Sequence, residues 1–205
     1  MNNLFSKVNA EFLLSAIFLN YIIYFFFDTK IFFTYFIIII LFSFFSLLIK
    51  NIKVNLYLVL IIVILSFISL SSPVSDWDGR SIWLFNAKRI FYNSHLFEYT
   101  SYHGSEFSHL DYPIMVQTLS ASLASMIGHW NEIFPKYSNL IISLPALLII
   151  SKVIKNKLEK LFLLILIFFI FEKRIISGEM DALLALYSCA SLILLVEFSE
   201  LKNLN

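Results

Sequence analysis

The sequence predicts an all-α, polytopic membrane protein of about six helical spans, and three observations support that prediction. Of the 205 residues, 60% are hydrophobic and 23 are phenylalanine. The mean hydropathy is +0.84. Apolar runs reach about 20 residues, the length at which a helix crosses the hydrocarbon core of a bilayer. A water-soluble domain of this size does not carry so much apolar sequence.

Six apolar runs are candidate spans, and a seventh run is interpreted differently. The first two runs are separated only by residues 28–30, which predicts a tight helical hairpin. The seventh run, at 113–128, contains Gln117, Thr118 and several serines, so we interpret it as a helix lying in or dipping into the outer face. The six candidate spans lie at about 11–27, 31–49, 54–72, 137–151, 161–176 and 182–198.

Lysine placement predicts the orientation of the chain, because short cytoplasmic loops hold an excess of Lys and Arg. Lys7 places the N-terminus inside, and Lys50 and Lys53 lie inside again. The third span then delivers the segment from Pro73 to the outside. A cluster of four lysines and one glutamate at 152–160 carries a charge of +3 and is predicted inside.

This topology divides the chain into three segments. Residues 1–72 form an N-terminal three-span segment, 73–136 an extracytoplasmic loop with juxtamembrane helices, and 137–205 a C-terminal three-span segment. Charged, histidine and aromatic residues concentrate in the loop. Any chemistry is therefore expected on the outer face of the membrane, and the predicted location is a bacterial inner membrane.

Acidic residues from two distant segments are predicted to meet at this outer face. Asp76 and Asp78 follow the third span, and Glu179 and Asp181 lie between the last two. Ionised groups near the hydrocarbon boundary are costly unless they have partners or a function. The alternative is that each acid is a solvated loop charge and that Asp78 caps the helix that follows it. Arg174 lies on the same side, either as an exception to the lysine bias or as a site for an anionic lipid head group.

Residues 80–92 predict an amphipathic helix at the membrane interface. At a period of about 3.6 residues, Trp83 lies on an apolar arc of this helix. Lys88 and Arg89 are then placed to reach lipid phosphates. A peripheral strut without a ligand explains the pattern equally well.

Three short motifs follow one another between residues 73 and 190. The first is an Asp followed by an aromatic residue and Ala-Lys on a juxtamembrane helix, the second is His-x-Asp-Tyr-Pro, and the third is Gly-x-x-Asp-x-x-x-Ala-Leu. Their residues are Asp78, Trp83, Ala87 and Lys88; His109, Asp111, Tyr112 and Pro113; and Gly178, Asp181, Ala185 and Leu186. In order and topology the chain resembles the GT-C membrane glycosyltransferases, and within them the bacterial protein-mannosyltransferase and aminoarabinose-transferase type.

The resemblance implies an enzyme that transfers a sugar, with inversion, from a polyprenyl-phosphate donor to a lipid, glycan or protein acceptor on the outer face. Asp78 would be the general base that deprotonates the acceptor hydroxyl. Asp76 is its main competitor, because residues two apart in an extended loop point the same way. Lys88, Arg89 or Arg174 would stabilise the leaving phosphate. The implied substrate-binding residues are Trp83, Lys88, Arg89, His109, Asp111, Tyr112, Arg174, Glu179 and Asp181.

Two features depart from the pattern of that family. Its members are usually much longer, so a short or truncated member is expected, and Gly79 stands where a second acid often follows the catalytic Asp. No spacing such as His-Glu-x-x-His predicts a metal site, and no cofactor is predicted. A divalent cation held loosely between an Asp and the donor phosphate is an open alternative. No nucleic-acid partner is predicted.

A non-catalytic membrane subunit or a transporter is the alternative to an enzyme. A transporter predicts polar residues and broken helices at mid-membrane. The predicted spans hold few polar residues, and Pro145 is the one Gly or Pro at mid-span. This pattern weighs against transport and favours chemistry confined to one face.

Overall fold

The computed structural model describes residues 2–26, 63–71, 73–93, 112–154 and 156–202. Every regular element in these ranges is helical, which confirms the all-α prediction. The helices are α1 (Asn2–Phe26), α2 (63–70), α3 (Leu84–Asn93), α4 (Met115–Ile127), α5 (Ser138–Val153), α6 (Lys157–Ser177) and α7 (Asp181–Lys202). A π-helical turn, Gly79–Trp83, leads into α3, and a 3₁₀ turn, Pro135–Tyr137, leads into α5.

Helix α5 is central to the bundle. Its sequence is apolar on all sides, which is typical of a buried helix, and residues 140–148 are all buried. Helices α1, α6 and α7 pack against it. The Tyr187 hydroxyl of α7 donates to the carbonyl oxygen of Ile142 at 2.8 Å, and the hydroxyls of Ser66 and Tyr137 lie 2.7 Å apart. These bonds connect α7 to α5, and α2 to the turn that precedes α5.

Helix α4 lies inside the bundle and packs against α1, α3 and α5. Its residues 117–124 are all buried. The Ser122 hydroxyl is 3.2 Å from Oδ1 of Asn20, and the hydroxyls of Ser120 and Ser138 lie 2.7 Å apart. Ser120 and Ser122 of the seventh apolar run therefore bind neighbouring helices. At 13 residues, α4 is about 20 Å long, shorter than the hydrocarbon core of a bilayer.

One helix in the described ranges is long and apolar enough to cross a membrane. It is Asp181–Ser199, with a mean hydropathy of 1.9. This stretch coincides with the predicted span at 182–198. Large apolar side chains along it are exposed, Leu184, Leu192 and Phe198 among them.

The other predicted spans have shorter apolar stretches or lie outside the described residues. The apolar stretch of α1, Ala10–Tyr24, and the one that includes most of α5, Pro135–Ser151, are shorter than 18 residues. Helix α6 carries charged residues near both ends, so only 161–171 is continuously uncharged. The predicted span at 31–49 and most of the one at 54–72 fall outside the described residues. The count of six spans stays a prediction.

The predicted amphipathic helix is present and extends from residue 77 to residue 93. It packs against α4. Ile82, Ala87 and Ile90 are buried, whereas Lys88 and Tyr92 are exposed. The helix therefore has one apolar, buried face, as the sequence pattern predicts. Its place at a membrane surface stays a prediction.

Candidate functional site

Two glycines bring distant segments of the chain into contact. Gly178 ends α6 with a φ of +97°, a left-handed conformation that favours glycine. A Cβ atom at Gly178 would lie 3.4 Å from Cα of Gly79 and 3.7 Å from Cγ1 of Val74. The backbone of the turn before α7 therefore touches the segment that leads into α3. This contact places the two pairs of predicted acids beside each other.

Four carboxylates and one guanidinium adjoin the glycine contact, and we call them the acid cluster: Asp76, Asp78, Glu179, Asp181 and Arg174. Nε of Arg174 lies 3.5 Å from Oε2 of Glu179, and Nη1 lies 4.0 Å from Oδ2 of Asp181. Arg174 is more than half exposed, so these ion pairs add little stability. Their importance is that a positive charge lies among the carboxylates.

Glu179 is the carboxylate of the cluster whose electrostatics are most informative. Its side chain is 25% exposed, against 77% for Asp181. Burial raises the pKa of Glu179, and the carboxylate of Asp76 raises it further. Arg174 lowers this pKa, while Asp181 and Asp78 add smaller increases. A raised pKa makes the Glu179 carboxylate a stronger proton acceptor than an unperturbed one.

The raised pKa of Glu179 predicts a pH dependence of stability. The folded protein holds this proton more tightly than the unfolded chain, so ionisation favours unfolding. The free energy of unfolding is therefore expected to fall as pH rises from the usual value of 4.5 through the folded pKa, and to level off above it. Glu179→Gln should remove this part of the decline.

Unfolding of the purified protein in detergent, followed from pH 4 to pH 8, measures this effect. Glu197→Gln on α7 is the matched control and should keep the wild-type decline. An identical pH dependence for Glu179→Gln and wild type would contradict the assignment.

The backbone around Asp78 differs from the extended loop expected from the sequence. Residues 77 and 78 are already helical, and the Arg80 N–H donates to the carbonyl oxygen of Asp76 at 3.1 Å. Asp78 makes no side-chain capping hydrogen bond, so the capping alternative finds no support. Because residues 77 and 78 are helical, the argument from an extended loop that Asp76 and Asp78 face the same way does not hold. The π-helical turn that follows is a feature often found at functional sites.

The predicted substrate residues Trp83 and Tyr112 lie together. Their ring centroids are 5.4 Å apart with the planes tilted by 36°. Trp83 is one to two turns along the helix from Asp78, so the aromatic pair joins the helix that begins at the acid cluster to the segment before α4. The predicted residues His109 and Asp111 are outside the described residues.

The predicted cations Lys88 and Arg89 lie apart from the acid cluster. Ten residues of helix separate Lys88 from Asp78, a distance of about 15 Å along the axis. Nζ of Lys88 lies 3.7 Å from Oε1 of Glu132, which also accepts a hydrogen bond from Nε1 of Trp130 at 3.0 Å. Among the described cations, Arg174 is therefore better placed than Lys88 to act at the cluster.

No three His, Cys, Asp or Glu side chains within the described ranges are arranged so that they could hold a metal ion. A cation shared with a donor phosphate stays a prediction.

Sequence reasoning identified the acids but missed the glycines that bring them together. In the sequence, Gly79 was notable only because a second acid is missing at that position. In the structure, its Cα packs against Gly178. One signal was available: the chain has only four glycines, and two of them adjoin the predicted acids. Val74, the third contact, carries no sequence signal.

Comparison with known proteins adds no relative, because no family model, curated protein or solved structure matches the chain.

Proposed function

We propose that this chain is a multi-pass glycosyltransferase of the bacterial inner membrane, with a cytoplasmic N-terminus and its active site on the outer face. It moves a sugar from a polyprenyl-phosphate donor to a lipid, glycan or protein acceptor. The observation that carries the proposal is the contact between Gly79 and Gly178. Through this contact, Asp78 adjoins a second acidic segment and Arg174. The proposed reaction needs a base for the acceptor hydroxyl and a cation for the leaving phosphate.

The exposure of α7 supports the membrane placement. Only 22% of the stretch Asp181–Ser199 is buried within the protein, whereas the apolar core helix of a soluble protein is mostly buried. A bilayer would cover the apolar side chains that this helix exposes.

The mechanism assigns a role to each group of the acid cluster. The hydroxyl oxygen of the acceptor attacks the anomeric carbon. Asp78, an exposed carboxylate, accepts the proton of that hydroxyl at the same time. The bond from that carbon to the donor phosphate breaks, and the lipid phosphate leaves with the electron pair. Arg174 stabilises the charge that develops on this phosphate. Glu179, beside Arg174, accepts a hydrogen bond from a sugar hydroxyl.

Three buried hydroxyl groups of the bundle support packing rather than transport. The hydroxyls of Thr118, Ser143 and Ser151 each donate to a backbone carbonyl three residues earlier, at 2.7 to 2.9 Å. Their hydrogen bonds are satisfied within their own helices, so they do not form a path for a solute.

Transfer by the purified full chain in proteoliposomes tests the proposal. Labelled polyprenyl-phosphate sugars are supplied with candidate acceptors, and empty liposomes serve as the control. We expect labelled product from a polyprenyl-phosphate sugar and none from a nucleotide sugar. Folded protein that transfers no sugar from donors shown to be competent with another enzyme would overturn the proposal in favour of a non-catalytic membrane subunit.

A further inference from the structure

The outward side of the helix at 77–93 is aromatic and polar, without aliphatic side chains. Every aliphatic residue of this helix is buried. The large apolar side chains that remain exposed or partly exposed are all aromatic, namely Trp77, Trp83, Phe85 and Tyr92. Trp77 and Tyr92 are each 60% exposed. Large exposed apolar side chains of one chemical kind on one helix indicate a ligand or a partner.

We call one stripe of this helix the aromatic face, which consists of Trp77, Ser81, Phe85, Lys88 and Tyr92. From Ser81 onward these residues recur at intervals of three and four, so they share one side of the helix. Trp77 lies one turn earlier, and its carbonyl oxygen accepts a hydrogen bond from the Ser81 hydroxyl at 2.5 Å. None of the five residues is buried, whereas the other side of the helix packs against α4.

A pair of opposite charges lies at the far end of the aromatic face. Nζ of Lys88 lies 3.7 Å from Oε1 of Glu132, and both side chains are nearly half exposed. Glu132 also accepts a hydrogen bond from Nε1 of Trp130 at 3.0 Å, and two backbone N–H groups of the same loop donate to Oδ1 of Asn131. The pair therefore offers hydrogen-bond donors and acceptors from an ordered loop, with no net charge, one turn from Tyr92.

Flat aromatic rings beside a neutral set of donors and acceptors are complementary to a carbohydrate. A pyranose ring has a face of C–H groups whose hydrogens are slightly positive, and the face of an aromatic ring is negative. The hydroxyl groups around the sugar ring both donate and accept hydrogen bonds. Lys88 supplies donors for them and Glu132 supplies acceptors.

A bilayer is a poorer match for this surface. Helix α7, which we propose faces lipid, exposes the aliphatic side chains of Leu184, Leu192 and Leu195. A helix that lies on a membrane inserts an apolar side into the acyl boundary. The aromatic face instead interrupts its rings with Ser81 and Lys88, and the aliphatic side of this helix is already covered by protein.

We propose that the aromatic face binds a chain of linked sugars, which makes the acceptor of the proposed reaction a glycan. This inference rests on the proposed function, because Trp77 is next to the proposed base Asp78. The sugar that carries the attacking hydroxyl stacks at Trp77, and the sugars before it follow the helix toward Tyr92 and Glu132. The face is about 20 Å long, which accommodates several pyranose rings. Lys88 then binds the acceptor rather than the leaving phosphate.

Saturation-transfer NMR of the full chain in nanodiscs, which contain no sugar head groups, tests glycan binding. The probes are linear tetrasaccharides of glucose, N-acetylglucosamine, galactose and mannose, and at least one is expected to bind. Trp77→Ala and Tyr92→Ala should each raise its Kd about tenfold, and Trp77→Phe, which keeps a flat ring, should raise it less. Phe198→Ala, which removes a ring 69% exposed on α7, is the matched control and should leave Kd unchanged. Binding of none of the four probes, or equal changes in Trp77→Ala and Phe198→Ala, would overturn the proposal.

Cysteine labelling distinguishes a glycan surface from one that lies in the bilayer. Tyr92→Cys in a Cys189→Ser background should react quickly with a water-soluble maleimide in nanodiscs, and more slowly once the tetrasaccharide is bound. Leu192→Cys on α7, which replaces a residue 63% exposed, should react slowly in nanodiscs with or without the sugar. Tyr92→Cys that reacts as slowly as Leu192→Cys would show that lipid covers the aromatic face, and the proposal would fail.

Neither measurement uses sugar transfer, so the two proposals can fail separately. Glycan binding without transfer would contradict the proposed enzyme activity alone. Transfer to a lipid or a protein, with no glycan bound at the aromatic face, would contradict this inference alone.

Discussion

Asp78→Asn is expected to lower kcat for sugar transfer by about 10²- to 10⁴-fold, the usual contribution of a general base. The amide keeps the shape of the side chain but cannot take the proton of the acceptor hydroxyl. KM should change little, because donor binding does not depend on this proton. Asp78 is exposed and makes no capping hydrogen bond, so the free energy of unfolding should change by less than about 0.5 kcal/mol.

Initial rates with saturating donor, together with the melting temperature of each variant, measure this prediction. Glu197→Gln is the matched control, because it also converts an acid to an amide but lies about 24 Å along α7 from Asp181. It should keep wild-type rates. Asp76→Asn distinguishes the competing base: wild-type rates for Asp78→Asn together with a large loss for Asp76→Asn would transfer the role to Asp76.

Gly178→Val is expected to impair both folding and activity, because it opposes the backbone conformation and the contact that forms the acid cluster. At a φ of +97°, a side chain lowers the free energy of unfolding by about 1–2 kcal/mol. The branched valine would also press on Cα of Gly79 and on Val74, which already lie 3.4 and 3.7 Å from a Cβ atom. This overpacking adds about 1–3 kcal/mol. A displacement of the two acidic segments by about 1 Å is expected to lower kcat by about 10²-fold.

Gly128→Val separates the two effects. Gly128 also ends a helix, with a φ of +83°, but a Cβ atom there would have nothing within 4 Å. The Gly128→Val variant should therefore lose about 1–2 kcal/mol of unfolding free energy, from the backbone conformation alone, and keep its transfer rate. Unfolding in detergent and initial rates provide both comparisons. Equal losses of stability and rate in the two variants would show that the contact with Gly79 does not position the site.

Much of the candidate site could be predicted from single residues in the sequence. Asp76, Asp78, Glu179 and Asp181 stand out because charges are rare beside long apolar runs, and their convergence followed from counting membrane crossings. Their individual properties could not be predicted in this way. Glu179 differs from Asp181 because of its burial and of the charges around it, and both depend on how α6 and α7 pack.

The surroundings of the polar residues of α4 also could not be predicted from the sequence. In the sequence, Gln117, Ser120 and Ser122 indicated a helix at the outer face. In the structure, they are buried between helices, with Ser120 beside Ser138 and Ser122 beside Asn20. A local pattern reports how polar a segment is, but not whether its polar groups bind to water, to lipid or to another helix.

The sequence by itself determined the helical class, the amphipathic helix after Asp78, the apolar stretch at Asp181–Ser199, and the residues able to carry charge-based chemistry. These features depend on composition and periodicity, which act over one or two helical turns. Only the tertiary structure decided that Gly178 packs against Gly79 and that Arg174 rather than Lys88 lies at the acid cluster. Such contacts join residues far apart in sequence, and they arise from the way buried surfaces fit together, which no local pattern encodes.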